Sequence, residues 1–243
     1  MKALSFAKRN AKEIIRDPLT VAFGLGFPVI LILLLSAIGA NIPVPLFDIN
    51  HLTPGITVFG LSFMTLFSAT LISKDRESSL LQRLYTTPLK PLDFILGYTL
   101  TIVPIAVAQS AVCYAVAIPL GLDITANVLV AVLSIVPVSI PFIALGLLFG
   151  SVLNDKQVGG VCGALLTNLS AWLSGVWFDL ELVGDGFKKI AYALPFVHAV
   201  EMERAILSGE FDNIFPHLWW VLGYAAATIV IAVILFLRQM KKQ

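Results

Sequence analysis

The chain has 243 residues, of which 58% are hydrophobic and 13% charged, and its mean hydropathy is +0.92. Soluble domains carry about 25% charged and about 45–50% apolar residues, so this composition excludes a soluble protein and marks an integral membrane one. The net charge of +1 is no argument for a nucleic-acid partner, and none is expected.

Residues 1–17 carry Lys2, Lys8, Arg9, Lys12 and Arg16, with Leu4, Ala7, Ala11, Ile14 and Ile15 at three- and four-residue spacing. This is an amphipathic helix with a basic face, suited to the membrane–water interface. Asp17-Pro18 breaks or redirects it. A secretory signal is the alternative, but the apolar stretch from Leu19 to Ala40 exceeds the about 7–15 residues of such a segment.

Six charge-free stretches follow, each longer than the roughly 18 residues that suggest a spanning helix. Trimmed at turn residues, they predict spans over about 20–39, 54–73, 94–119, 126–150, 158–178 and 218–237. Pro104, Pro137 and Pro141 fall inside the third and fourth and are expected to kink them. Six spans put both termini on one side, which holds 13 of the 16 Lys and Arg. The other side holds Lys188, Lys189 and Arg204. The positive-inside rule therefore places both termini and the 74–93 loop in the cytoplasm. Between the last two spans, 179–217 contains Ile190 to Val200, an apolar run too short to span, and then MERAILSGEF. One or two short helices dipping into the outer leaflet are expected there, with Gly209 as a stop.

The predicted spans contain no Asp, Glu, Lys or Arg. Ion-coupled transporters commonly keep such residues as ion or proton sites, so coupling to an ion gradient is disfavoured. Cys113 and Cys162 sit in apolar runs without Cys or His at ligand spacing, so buried thiols are expected and no metal site. The stretch WLSG, Trp172 to Gly175, bears a faint likeness to the serine motif of intramembrane rhomboid proteases, which requires Gly where Trp172 stands. No base is placed to activate Ser174, so no catalytic residue is assigned.

The loop 74–93 reads KDRESSLLQRLYTTPLKPLD. Leu80, Leu81 and Leu84 share one helical face, rimmed by Arg76, Glu77 and Arg83, and Pro88 and Pro91 stiffen the return. That pattern suits a small docking helix; a solvated loop with its leucines on the lipid interface is the other reading.

Pro54-Gly55, the cluster Lys74-Asp75-Arg76-Glu77, the helix SSLLQRLYTTPL, then KPLDFILGYTL, resemble the membrane subunit of bacterial and archaeal ABC-2 type export systems. LPFVHAVEMERAILSGEF, Leu194 to Phe211, resembles that family's outer segment, and the resemblance extends over essentially the whole chain. Ser78-Ser79 departs from the Glu-Gly common at that point. The resemblance implies an all-α, type V exporter-like fold of one membrane domain, 1–243. It comprises six spans, an N-terminal interfacial helix, a cytoplasmic coupling helix and outer re-entrant helices.

It further implies two permease subunits, expected as a homodimer, working with two copies of a separate ATPase in the cytoplasmic membrane. The chain lacks a GxxxxGK[ST] loop, so ATP and Mg would be bound by that ATPase and no cofactor by this chain. Arg76, Glu77, Leu80, Leu81, Arg83 and Leu84 would couple to it. In the family the second and fifth spans line the path. Here Phe59, Phe63 and Phe67 form an aromatic stripe on the second, and Asn168 and Trp172 share a face of the fifth. Ordinary helix packing or lipid contact is the other reading of these residues. The expected cargo is a drug-like or lipid-like amphiphile; a lipid-linked polysaccharide is the near alternative. An ATP-independent channel and a non-transporting membrane scaffold are more distant ones.

Overall fold

The computed structural model describes residues 2–42, 44–78 and 91–240. Among these the regular structure is helical. We number the helices α1 (Lys2–Arg16), α2 (Pro18–Asn41), α3 (Ile49–Glu77), α4 (Pro91–Ala117), α5 (Ala126–Val152), α6 (155–172), α7 (Asp185–Tyr192), α8 (Pro195–Ser208) and α9 (Ile214–Met240). Five of them, α2, α3, α4, α5 and α9, are long and apolar enough to cross a membrane.

The segment expected as the fifth span differs from these. Its helix, α6, begins at Asp155 and Lys156, is wound as π-helix over Gly159–Leu166, and ends at Trp172. It starts three residues before its predicted boundary because Asn154 and Gln157 form a reciprocal capping box. It stops six residues short of the predicted end, and Gly175 in the following turn takes a φ of +69°.

Helix α3 is the centre of the bundle and the most buried of the long helices. It begins five residues before its predicted start because the Asp48 carboxylate caps it, accepting from the Asn50 N–H at 2.9 Å. Helix α5 lies along it at very short range. A Cβ on Gly146 would stand 2.6 Å from the Thr65 carbonyl oxygen, and one on Gly150 2.7 Å from that of Ala69. Two glycines one turn apart thus let the backbones touch, and dispersion contacts hold helices together where lipid offers no hydrophobic drive. The Thr65 hydroxyl adds a bond to the Phe142 carbonyl at 2.8 Å. Helices α4 and α5 run without interruption through Pro104, Pro137 and Pro141.

Helix α1 is amphipathic, but its packed face differs from the predicted stripe. Phe6, Ala7, Asn10 and Ile14 are buried, whereas Leu4 and Ile15 are exposed. Phe6 lies edge-on to Phe94 and Tyr98 of α4, with centroids 5.6 and 5.0 Å away, over Gly97. Asp17 then caps α2 through the Leu19 and Thr20 N–H groups, so the chain turns there and continues as a helix. At the other end of the bundle, the 179–217 segment folds into α7 and α8, and Gly209 terminates α8 with a φ of +80°.

Candidate functional site

Three consecutive side chains at the end of α3 each bind a different part of the molecule. Asp75 is 1% exposed. It accepts from Arg9 Nη1 of α1 at 2.8 Å and from the Tyr98 hydroxyl of α4 at 2.9 Å. Arg9 also pairs with Glu13 at 2.7 Å, so its guanidinium is held from two sides. Arg76 Nη1 donates to the Ser151 carbonyl, and Nη2 to that of Leu153 at 2.5 Å. These carbonyls end α5, where unpaired C=O groups and the negative end of the helix dipole favour a cation. Glu77 accepts from the Asp155 N–H at 3.0 Å, at the opposite, positive kind of helix end, the start of α6.

The acid–base–acid order of Asp75-Arg76-Glu77 therefore matches the environments available: a partly exposed guanidinium, a helix C-terminus and a helix N-terminus. Residues 79–90, which include Leu80, Leu81, Arg83 and Leu84, lie outside the described residues. Arg76 and Glu77 belong to the predicted coupling set, and both bond within the chain. Mechanically, α3 cannot shift at this end without pulling on α1, α4, α5 and α6.

The proposed path residues separate into two groups. Phe59, Phe63 and Phe67 are buried and pack against α2. Phe63 lies 6.2 Å from Phe23 and 5.7 Å from Phe27, and Phe59 lies 5.7 Å from Trp177. The Phe67 ring sits where Gly24 has no side chain. Asn168 and Trp172 are instead exposed along one side of α6 with Gly160, Ala164 and Leu165. Asn168 returns its amide to the Ala164 carbonyl at 2.8 Å.

At the far end of α3, α8 carries a second polar knot. Arg204 binds Glu201 at 2.9 Å, the His51 carbonyl at 3.3 Å and the Gly175 carbonyl at 3.2 Å. A cavity of about 710 Å³ opens beside it, lined by Asp48, His51, Asp123, Glu201, Arg204 and His217 among others. One residue before Arg204, Glu203 is fully buried and accepts from the Ser134 hydroxyl of α5 at 2.6 Å, with Tyr114 of α4 beside it. Burial pushes its carboxyl up to about 8, against the opposing pull of these hydroxyls.

Sequence reasoning gave no site role to Asp75, Arg9, Tyr98 or Glu203. For Glu203 a signal exists: it lies on the same face as Ala199, Met202 and Ile206, where a carboxylate is out of place. For the Arg9–Asp75 pair none does, since 66 residues separate the partners.

A search among curated proteins finds no match. Residues 2–208 match the family model for ABC-2 type transporters. This match, spanning every helix from α1 to α8, agrees with a multi-pass helical bundle. The chain belongs to the ABC-2 type transporter family, the membrane component of ABC transporters, which implies association with an ABC ATPase.

Proposed function

We propose that this chain is the permease subunit of an ATP-driven exporter. It moves a drug-like or lipid-like amphiphile out of the cytoplasm or the inner leaflet. Two copies form a homodimer in the cytoplasmic membrane, with six spans each and both termini inside. Two separate ATPase subunits bind ATP and Mg and dock on the 74–93 coupling segment through Leu80, Leu81 and Leu84, oriented by Arg83.

One observation carries this reading. Asp75, Arg76 and Glu77, at the start of that segment, are bonded to four other helices. A push delivered to the loop is thereby shared by the bundle instead of bending one helix end. Arg76 and Glu77 act in coupling by carrying the push inward. The 13-to-3 distribution of basic residues supports a cytoplasmic place for this end. Asn168 and Trp172, exposed on α6, supply an unpaired surface for the second subunit or the cargo.

The test is the double substitution Leu80→Asp with Leu84→Asp. The ATPase is expected to be lost on copurification while the permease still inserts and remains folded. Undiminished ATPase binding overturns the docking claim. Reconstitution of the wild type with its ATPase is then expected to give amphiphile-stimulated hydrolysis and outward flux. Stimulation by a lipid-linked glycan and by no amphiphile moves the assignment to polysaccharide export.

A further inference from the structure

Where α8 meets α9, two histidines face each other nitrogen to nitrogen. His198 Nδ1 and His217 Nδ1 are 2.9 Å apart, and His198 Nε2 lies 2.9 Å from the Tyr192 carbonyl oxygen. A carbonyl oxygen accepts and never donates, so His198 carries its proton on Nε2. Its Nδ1 is then a lone pair, and His217 Nδ1–H must be the donor between the rings. Both tautomers are fixed by one backbone carbonyl. His198 is also sandwiched against Trp220, 4.9 Å away with the rings 5° from parallel.

From this geometry we infer that the His198–His217 pair is a proton-operated latch between α8 and α9, tightened by a first proton and released by a second. In the neutral pair, one lone pair is left without a partner among the described residues: that on Nε2 of His217, a residue that lines the 710 Å³ cavity. A first proton goes there. It leaves the Nδ1–H···Nδ1 bond intact and makes it charge-assisted. A second proton has one place to go, His198 Nδ1, which is occupied by the hydrogen from His217. Binding it breaks the inter-ring bond and sets two imidazolium rings at centroids 5.1 Å apart. The two steps belong to the pair as a unit.

The surrounding groups fit this order. From α7, Tyr192 meets His198 edge-on, and Lys188 stands over the Tyr192 ring, adding positive charge nearby. From α8 come Glu201 and Arg204, already paired with each other. From α9, Tyr224 stacks on Trp220, and its hydroxyl donates to the Ala193 carbonyl. That last bond lies outside the histidine pair and ties α9 to the turn between α7 and α8, so it serves as the hinge about which the released junction opens. Burial holds His198 below the usual histidine range, which delays the second step toward more acid conditions.

The latch joins the outer-end segment to the last long helix, so its state sets how freely α8, with the Arg204 knot, moves against α9. Acidity on that side of the membrane is the input. None of this depends on the exporter reading, and the test uses neither ATPase nor cargo.

The full-length protein in lipid nanodiscs is labelled with ¹⁵N-histidine and titrated from about pH 8 to about pH 5. At the alkaline end, His198 is expected as the Nε2–H tautomer and His217 as the Nδ1–H tautomer. Amide exchange over residues 195–220, corrected for its intrinsic pH dependence, is expected to stay level or slow through the first step. It then rises about tenfold at the second. In His198→Asn, the side-chain oxygen accepts from His217 and cannot be protonated, so exchange stays level throughout. A proton found on His198 Nδ1 at about pH 8 overturns the latch. So does exchange in the wild type that never rises, or a rise of the same size in His198→Asn. The tautomer measurement decides the matter even where the variant does not fold.

Discussion

Replacing Asp75 with alanine probes the knot at the end of α3 most directly. The substitution removes the acceptor for both Arg9 and Tyr98. The consequences are unequal, because Arg9 is 40% exposed and the Tyr98 side chain is fully buried. Breaking a fully buried ion pair costs about 3–5 kcal/mol. Arg9 retains water and Glu13, which reduces its share to about 1–2 kcal/mol. The Tyr98 hydroxyl loses a charged partner in a site with no water access, costing about 1.5–3 kcal/mol. Asp75→Ala should therefore destabilise the folded bundle by roughly 3 kcal/mol. Two double-mutant cycles, Asp75→Ala with Arg9→Ala and with Tyr98→Phe, apportion the loss by equilibrium unfolding in mixed micelles. Coupling energies of about 1–2 kcal/mol are expected in each, the Tyr98 cycle the larger. Values under about 0.5 kcal/mol in both would mean that α1 and α4 are not held to α3 through Asp75, and the mechanical argument would fall with them.

Glu203→Gln should change the pH dependence of stability. A carboxyl raised from 4.5 to about 8 stabilises the fold as the neutral acid, fully so below its unfolded value, and that contribution is lost as pH rises through about 8. The glutamine variant should show a thermal midpoint that no longer falls over that interval, so at about pH 8.5 it should melt above the wild type; parallel midpoint curves refute the assignment. Gly150→Ala should cost about 1–3 kcal/mol, since its Cβ would meet the Ala69 backbone, whereas Gly223→Ala on α9, with nothing within 4 Å, should be neutral or stabilising. Equal melting temperatures for the two variants would contradict the close α3–α5 contact. Arg76→Ala should uncap the end of α5 at a cost of about 1–2 kcal/mol, visible as faster amide exchange over residues 151–158; Arg76→Lys, which cannot reach two carbonyls as a fork, should recover less than half of the protection.

The long helices are legible because the bilayer makes a simple demand: a stretch without charge, long enough to cross. Charge patterning exposes those stretches directly. Their ends are less legible because they depend on caps and partners. Asp48 starts α3 early, and Asp75, Arg76 and Glu77 prolong it by finding acceptors and donors on four helices. The capping box at Asn154 and Gln157 could have been read, as its two residues stand at a fixed spacing of three. The candidate site is half visible. Its residues stand together in one charged cluster, and a rim of charges beside leucines suggested an outward-facing role. That Arg76 and Glu77 bond within the chain depends on where α5 ends and α6 begins in space. The aromatic stripe shows the same limit: spacing puts Phe59, Phe63 and Phe67 on one face, and the fold decides that α2 covers it.

The π-wound stretch of α6 carries a consequence of its own. Gly159–Leu166 uses hydrogen bonds to the fifth residue on, so each turn there holds more residues than an α-turn does. Gly159, Gly160 and Gly163 lie within it, and side chains therefore oppose rewinding little. Returning this stretch to α-helical register would lengthen it and screw everything beyond it around the helix axis. Asn168 and Trp172 sit on that far portion. A change of hydrogen-bond register, with no helix sliding as a body, would sweep an amide and an indole from one azimuth of α6 to another.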